Sequence, residues 1–204
     1  MSPRKPVLFI IIFALLLGFA GGFALRSILP VNEQPSSAVQ DSLSLIDTAL
    51  ETAAVIQTGD YDALADLVHP EKGVTFSPSA TVDKSCNHTF LPKELIKAAE
   101  SDATLVWGTT SDAASPINLS LKDYVSAYVW DQNYLSDPKI SVNSVQSSGN
   151  ALENAAEAYP EGEFVEFYHP GSASQSDWTA LKLVYEWYEG SWYLVGIIHS
   201  SWSA

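Results

Sequence analysis

The sequence predicts an α+β domain in which helices pack on one face of an antiparallel sheet. Two amphipathic helical segments come first, before residue 70. Three segments rich in β-branched and aromatic residues close the chain, and short turn sequences separate them. Helices followed by strands that are joined through short turns are typical of this class, whereas a parallel sheet requires alternating strands and helices. We therefore expect one sheet covered by the opening helices.

A long apolar run stands near the amino terminus. Residues 7–25 contain no charged side chain, and Arg4 and Lys5 precede them. As a helix this run would measure about 28 Å, which is close to the hydrocarbon thickness of a bilayer. The positive-inside rule then places residues 1–6 in the cytoplasm and the remainder beyond the membrane. Gly22-Phe23-Ala24 also matches a small-x-small cleavage site, so a secreted form is the alternative to a retained single-pass anchor.

Composition sets the remaining boundaries and excludes several partners. Residues 26–37 are polar and proline-containing and are predicted to be a linker, and residues 38–204 are predicted to form the extracytoplasmic domain. The chain has 24 acidic and 10 basic residues, a net charge of −14, which disfavours nucleic acid as a partner. Because Cys86 is the sole cysteine, neither an intrachain disulfide nor a thiolate metal site can form. No metal and no cofactor are predicted.

Capping signals mark the two opening helices. Ser37 starts a capping box, and apolar residues then recur every three or four positions, which predicts a helix over residues 37–57. Gly59 ends that helix. Asp60 is placed to cap a second helix, which Pro70 stops.

Shorter elements alternate through the middle of the chain, and three strands end it. The closing strands lie in "EFVEFYH", "DWTALKLVYEWY" and "SWYLVGIIHSSW". The predicted middle elements are a strand at 73–78, a helix with Pro92 in its first turn, a strand at 104–110, a helix capped by Ser120, a strand at 139–145 and a helical turn capped by Asn150.

The closing hairpin has two possible registers. With residues 189–190 as a two-residue turn, Leu181 pairs with Ile198, and His199 lies on the face opposite Tyr185. Glutamate is unfavourable at the positive φ of such a turn, so a three-residue loop with a glycine bulge is the alternative. That alternative moves His199 to the face of Tyr185. In the first register the face opposite Tyr185 is mixed in polarity, which suits either a second, partly wet surface or contact with a partner. Its residues are Lys182, Val184, Glu186, Tyr193, Val195, Ile197 and His199.

The order of elements resembles a known superfamily. Two opening helices, a mixed middle and a closing strand pair with "EGSW" and a later histidine resemble the NTF2-like (cystatin-related, SnoaL-like) proteins. The segments "HPEKGVTFSP", "NYLSDPKISVNSVQSSGN" and the closing hairpin are also similar to a group of uncharacterised bacterial extracytoplasmic proteins. The resemblance covers most of residues 40–203 and implies a curved sheet wrapped around a long helix as a cone. It implies no reaction, because the superfamily includes isomerases, dehydratases and non-catalytic binding domains.

Five residues are the candidate ligand-binding positions, and none is assigned a catalytic role. His199 would place a neutral imidazole at the mouth of the cone, with Tyr185 on the same hairpin. Asp177 and Trp178 precede a strand and could lie at a pocket rim. His69, at the end of the second helix, could also interact with the helix carbonyl end.

The leading functional prediction is a membrane-tethered extracytoplasmic module that binds or assembles and does not catalyse. A protein partner or a second copy would meet the sheet face. The alternative is a small-molecule enzyme of the isomerase, dehydratase or hydrolase type that uses a cone pocket. Two titratable groups within hydrogen-bond reach in that pocket would favour the enzyme, and a cone filled by its own side chains would oppose it.

Overall fold

The computed structural model describes residues 37–110, 115–137, 139–146, 152–172 and 177–202. The predicted segments 1–6 and 7–25 and nearly all of the 26–37 linker lie outside these ranges. Two units are distinguished, Met1–Ala38 and Val39–Ala204, and the described elements belong almost wholly to the second. Among the described residues, no helix combines the length and the apolar character needed to cross a bilayer.

The helices begin and end close to the predicted positions. Gly59 follows α1 with φ of +68°, and Ala63 N–H donates to the Asp60 carboxylate at 3.0 Å at the start of α2. Val68 is already extended, so α2 ends before Pro70. The Asp123 N–H donates to the Ser120 hydroxyl at 3.2 Å and starts α4. The helices are α1 Ser37–Thr58, α2 Tyr61–Leu67, α3 Pro92–Ala99, α4 Leu121–Tyr124 with a π-helical turn at Val125–Val129, and α5 Ala155–Ala158.

Eight described strands form two sheets. A six-stranded sheet has the order β2-β1-β8-β7-β6-β5, and β3 pairs with β4 in a separate antiparallel ribbon. The strands are β1 Val74–Ser77, β2 His88–Phe90, β3 Leu105–Thr109, β4 Pro116–Leu119, β5 Lys139–Val142, β6 Glu163–His169, β7 Thr179–Tyr188 and β8 Ser191–Ser201. The predicted helical cap at Asn150 lies outside the described residues.

The α+β class is confirmed, but the sheet is mixed and not wholly antiparallel. β1 runs parallel to β8, with Thr75 opposite Gly196 and Ser77 opposite Ile198. Antiparallel direction was expected because tight turns impose it. The two paired strands are far apart in sequence, so no turn fixes their relative direction.

The predicted two-residue turn of the closing hairpin is confirmed. Glu189 has φ of +47° and Gly190 has φ of +91°, and Tyr185 pairs with Leu194 as the first register requires. Glutamate therefore occupies a position whose positive φ was expected to be unfavourable for it. The cost of that conformation is about 1 kcal/mol, which the ten-residue pairing around the turn outweighs.

A β-bulge in β8 overturns the second half of the predicted register. Val195 is an extra residue between the pairs Tyr185–Leu194 and Val184–Gly196. Beyond it Leu181 pairs with His199, so the predicted Leu181–Ile198 pair is wrong and both Ile197 and His199 lie on the face of Tyr185. The outcome expected from a longer loop is thus reached through a bulge inside the strand. Gly196 fits this place because a Cβ there would lie 2.7 Å from the Tyr159 hydroxyl.

The opening helices pack on one face of the sheet as predicted, and the opposite face is covered as well. The larger apolar cluster joins α1 to the Tyr185 face of the sheet. A smaller cluster lies on the opposite face, where Val184 and Ile198 pack with residues outside the sheet; these are Val82, Ala155 and Tyr159. The side chain of Lys182 is fully buried on this second face and Glu186 is 9% exposed. The chain's own segments therefore occupy most of the surface predicted for a partner.

Candidate functional site

His199 contacts a carboxylate that sequence reasoning missed. Its Nε2 lies 3.1 Å from Asp131 Oδ2. β8 carries the imidazole to this position because the bulge has turned it to the Tyr185 face, and Asp131 lies two residues past the end of the π-helical turn. The imidazole and the Tyr128 ring are nearly perpendicular, with ring centroids 6.5 Å apart. The two residues are 68 positions apart, so no local motif could have linked them.

A tyrosine and a threonine extend this pair into a network. The Tyr134 hydroxyl lies 2.6 Å from Asp131 Oδ1 and 3.0 Å from Thr179 Oγ1. Because a carboxylate can only accept, Tyr134 donates its proton to Asp131 and accepts from Thr179. Each oxygen of Asp131 therefore has its own donor, which fixes the carboxylate beside the imidazole.

The network holds Asp131 as an anion. Burial raises the pKa of the Asp131 carboxyl, but the hydrogen bond and charge of His199 and the Tyr134 hydroxyl outweigh burial, and the net pKa is lowered. Burial raises the pKa of Tyr134, and the neighbouring Asp131 charge raises it further. A charged carboxylate that orients an imidazole is the arrangement found in general acid–base sites.

Tyr185 lies deep in the larger cluster and away from any surface. Its side chain is fully buried, and within the described residues its hydroxyl meets no hydrogen-bond partner in good geometry. Burial raises the pKa of this phenol, and the nearby Thr52 hydroxyl lowers it only in part. Tyr185 and His199, two of the candidate ligand-binding residues, therefore share a sheet face, but the Tyr185 side chain is fully buried.

His69 fastens a turn. Its Nδ1 accepts the backbone N–H groups of Glu71 and Lys72, at 3.2 and 3.1 Å, so the ring is unprotonated at that nitrogen. The buried imidazole lies against Tyr188, with ring centroids 4.7 Å apart. Its expected interaction with the helix end is replaced by this turn, since α2 has already ended at Leu67.

Asp177 and Trp178 lie at the start of β7. The Asp177 carboxylate accepts the Ser172 N–H at 2.8 Å and closes a loop at Gly171, whose φ is +68°. Trp178 is 5% exposed and lies against Tyr168. Among the described contacts, His199 is the one predicted position that belongs to the network with Asp131, Tyr134 and Thr179.

Aromatic rings fill the space between the Tyr185 face of the sheet and the elements from the middle of the chain. Trp107 and Tyr124 stack with centroids 3.9 Å apart and an interplanar angle of 11°. Phe76 meets both rings edge-on, at 5.8 and 6.1 Å. All three side chains are buried to 1% exposure or less.

The turn end of the hairpin is open by contrast. Trp187 is 57% exposed, and its ring meets Trp192 at 5.1 Å and 75°. The Trp192 indole N–H donates to Ser44 of α1 at 3.2 Å, which fixes the second ring. Glu189 is exposed at the turn. We call Trp187, Glu189 and Trp192 the hairpin tip.

Within the described ranges, no group of three or more His, Cys, Asp or Glu side chains is placed to hold a metal ion.

Comparisons with known proteins give weak structural similarities only. No protein-family model matches the chain, and no curated protein matches it. Among solved structures, Aln2 from a Streptomyces species shares 8% identity at a TM-score of 0.39, covering 83% of this chain and 94% of its own. A putative calcium/calmodulin-dependent protein kinase II association domain from Xanthomonas campestris gives 13%, 0.34, 85% and 91%. An NTF-2-like protein of unknown function from Shewanella oneidensis gives 10%, 0.32, 78% and 98%. TM-scores below 0.5 do not establish a shared fold.

Proposed function

We propose that this chain is a membrane-tethered, extracytoplasmic binding or assembly module of the NTF2-like type, without catalysis of its own. The supporting observation is the contrast between two groups of aromatic residues, one buried in the core and the other at the hairpin tip. Rings of Phe76, Trp107 and Tyr124 fill the space in which a cone pocket was expected. At the hairpin tip, Trp187 is exposed and Trp192 is only half-buried.

The tether and the location rest on the apolar run 7–25 with its preceding basic residues. The test is the intact mass of the protein in the membrane fraction, combined with protease treatment of intact cells. The uncleaved mass with a digestible domain supports the tether. A mass that corresponds to a chain beginning near Ala24, found in the soluble fraction, would instead support the secreted form.

The chemistry of the hairpin tip favours a basic protein segment as the partner. Two indole rings at 75° offer faces to a cation, and arginine is the protein cation that most often uses them. Ser44 places Trp192 beside α1, whose exposed residues include Asp41 and Glu51. The net charge of −14 would attract such a segment and repel a second copy of this chain.

A capped hexa-arginine peptide is the probe for this surface. Binding is followed by quenching of tryptophan fluorescence in the detergent-solubilised full chain. Trp187→Ala is expected to weaken binding about two- to fivefold, because a cation–π contact at an exposed site contributes about 0.5–1 kcal/mol. Trp202→Ala is the matched control, since Trp202 is 42% exposed near the opposite end of β8. Equal losses in both variants would show a diffuse charge effect and would contradict the assignment to the hairpin tip.

The His199–Asp131 pair favours a second candidate function, a small-molecule enzyme of the isomerase, dehydratase or hydrolase type. Two titratable groups lie within hydrogen-bond reach, and the Tyr134 hydroxyl fixes one of them. A catalytic imidazole must be reachable by substrate. Carbethoxylation with diethyl pyrocarbonate, mapped by mass spectrometry, compares His199, which is 5% exposed, with His69, which is 2% exposed. Selective modification of His199 in the native protein supports the enzyme, and equal protection of both histidines argues against it.

A further inference from the structure

A groove lies between α3 and the strands β2 and β3, apart from both the hairpin tip and the His199 network. Its volume is about 340 Å³, within the usual range for small-molecule sites. The lining residues are Thr89, Phe90, Glu94, Lys97, Ala98, Ser101, Ala103 and Leu105.

The floor of the groove is fixed by the core. The Phe90 ring meets Phe76 at 5.9 Å and Trp107 at 6.1 Å, so it cannot swing into the open space without leaving two partners. The groove stays open because Ala98 and Ala103 present only methyl groups toward it. A preformed apolar cleft of this kind binds a ligand without first having to order its own walls.

The rim of the groove does not favour a charged ligand. Glu94 and Lys97 balance each other, and the Glu94 carboxylate already accepts the Leu91 N–H at 3.0 Å, at the start of α3. The Lys97 ammonium is exposed and stays hydrated, so it adds little to the binding of an anion. It also lies in the last turn of α3, where the carbonyl end of the helix disfavours negative charge.

The Ser101 hydroxyl can donate a hydrogen bond to a ligand of this groove. The Ser101 Oγ accepts the Ala103 N–H at 3.1 Å, and among the described contacts its proton is not used. The Thr89 hydroxyl is engaged with Thr75 at 2.8 Å. We propose that the groove binds a small, uncharged, chiefly apolar molecule that carries one acceptor oxygen, with about 10 to 15 non-hydrogen atoms for the volume available.

Benzophenone has this chemistry and reports its own location. It is uncharged, has one ketone oxygen and cross-links to nearby C–H groups under near-ultraviolet light. The full chain in detergent is irradiated with benzophenone, and tryptic peptides are mapped by mass spectrometry. Labelling is expected on the peptides that carry Phe90 and Leu105, and it should saturate with probe concentration. Labelling that rises linearly, or that avoids both peptides, would overturn the proposal.

Matched variants separate the groove from general hydrophobic labelling. Ala103→Leu and Ala98→Leu fill the groove, and each is expected to lower labelling of these peptides about tenfold. Ala103 is exposed, so its replacement leaves the core intact. Ala54→Leu makes the same change at an exposed position of α1 and should have no effect. Ser101→Ala should raise the benzophenone concentration that gives half-maximal labelling about threefold, and Lys97→Met should leave that concentration unchanged. Full labelling in both filled variants, or loss of labelling with Lys97→Met, would refute this ligand class.

Discussion

Replacing Lys182 by methionine is expected to lower the free energy of unfolding by about 3 to 5 kcal/mol. The Lys182 ammonium lies 3.2 Å from Glu166 and 3.3 Å from the Ser200 hydroxyl, and it also pairs with Glu153. The side chains of Lys182 and Glu166 are both fully buried, whereas that of Glu153 is 29% exposed. Removing the ammonium therefore takes away the positive charge 3.2 Å from the Glu166 carboxylate, whose side chain is fully buried.

The magnitude comes from that buried carboxylate more than from lost packing. Methionine has nearly the length and volume of the lysine stem, so the cavity left behind is small. Gln146 N–H still donates to Glu166 at 2.6 Å in the variant, which places the loss toward the lower half of the range. Glu153 can turn to solvent and contributes little.

Urea unfolding followed by tryptophan fluorescence measures the effect. With a slope of about 2 kcal/mol per molar, a loss in the lower half of that range lowers the midpoint by roughly 1.5 to 2 M. The double variant Lys182→Met with Glu166→Gln removes the charge on both sides and should regain most of the loss. An unchanged midpoint in the single variant would refute the reasoning, and a double variant as unstable as the single one would show that buried charge is not the cause.

Three further predictions concern other sites. The pKa of Asp131 is lower in the folded state than in the unfolded state, where it is about 4. Its contribution to stability is therefore present above the unfolded-state pKa and is lost as the pH falls through the folded-state pKa. Asp131→Asn should flatten the dependence of melting temperature on pH between about 3 and 5. Glu189→Asn should raise the melting temperature by a few degrees because asparagine tolerates φ of +47°, whereas Gly190→Ala at φ of +91° should lower it by a similar amount through backbone strain alone. Hydrogen bonding to Asp83 raises the pKa of the exposed Cys86 thiol, so iodoacetamide should alkylate it more slowly at about pH 8 than a free cysteine, and Asp83→Ala should speed the reaction.

The local signals in the sequence account for the helices and the hairpin turn. Gly59, Asp60 and Ser120 act on residues no more than four positions away in the chain. Each ends or caps its helix as its position predicted. Turn chemistry was a less certain guide at Glu189, where pairing along the whole strand outweighed an unfavourable backbone angle. Interactions of short range are legible in a sequence because the chain itself keeps the partners together.

The candidate site depended on contacts of long range. His199 was identified from its place in the closing strand, but its partner Asp131 was not, since only folding brings β8 against the turn after α4. The bulge at Val195 decided which sheet face His199 lies on. Gly196, the next residue, packs closely against Tyr159. Neither the His199–Asp131 contact nor the Gly196–Tyr159 contact can be predicted from the residues that adjoin it in the sequence.

The amino-acid sequence by itself determined the α+β class, most element boundaries, the acidic surface and the aromatic closing hairpin. The tertiary structure decided the parallel pairing of β1 with β8, the covering of Lys182 and the meeting of His199 with Asp131. The physical reason is the same in each case. Propensity, capping and turn preference act between near neighbours, whereas direction, burial and ion pairing are set by residues that are distant in the chain and adjacent only in the folded state.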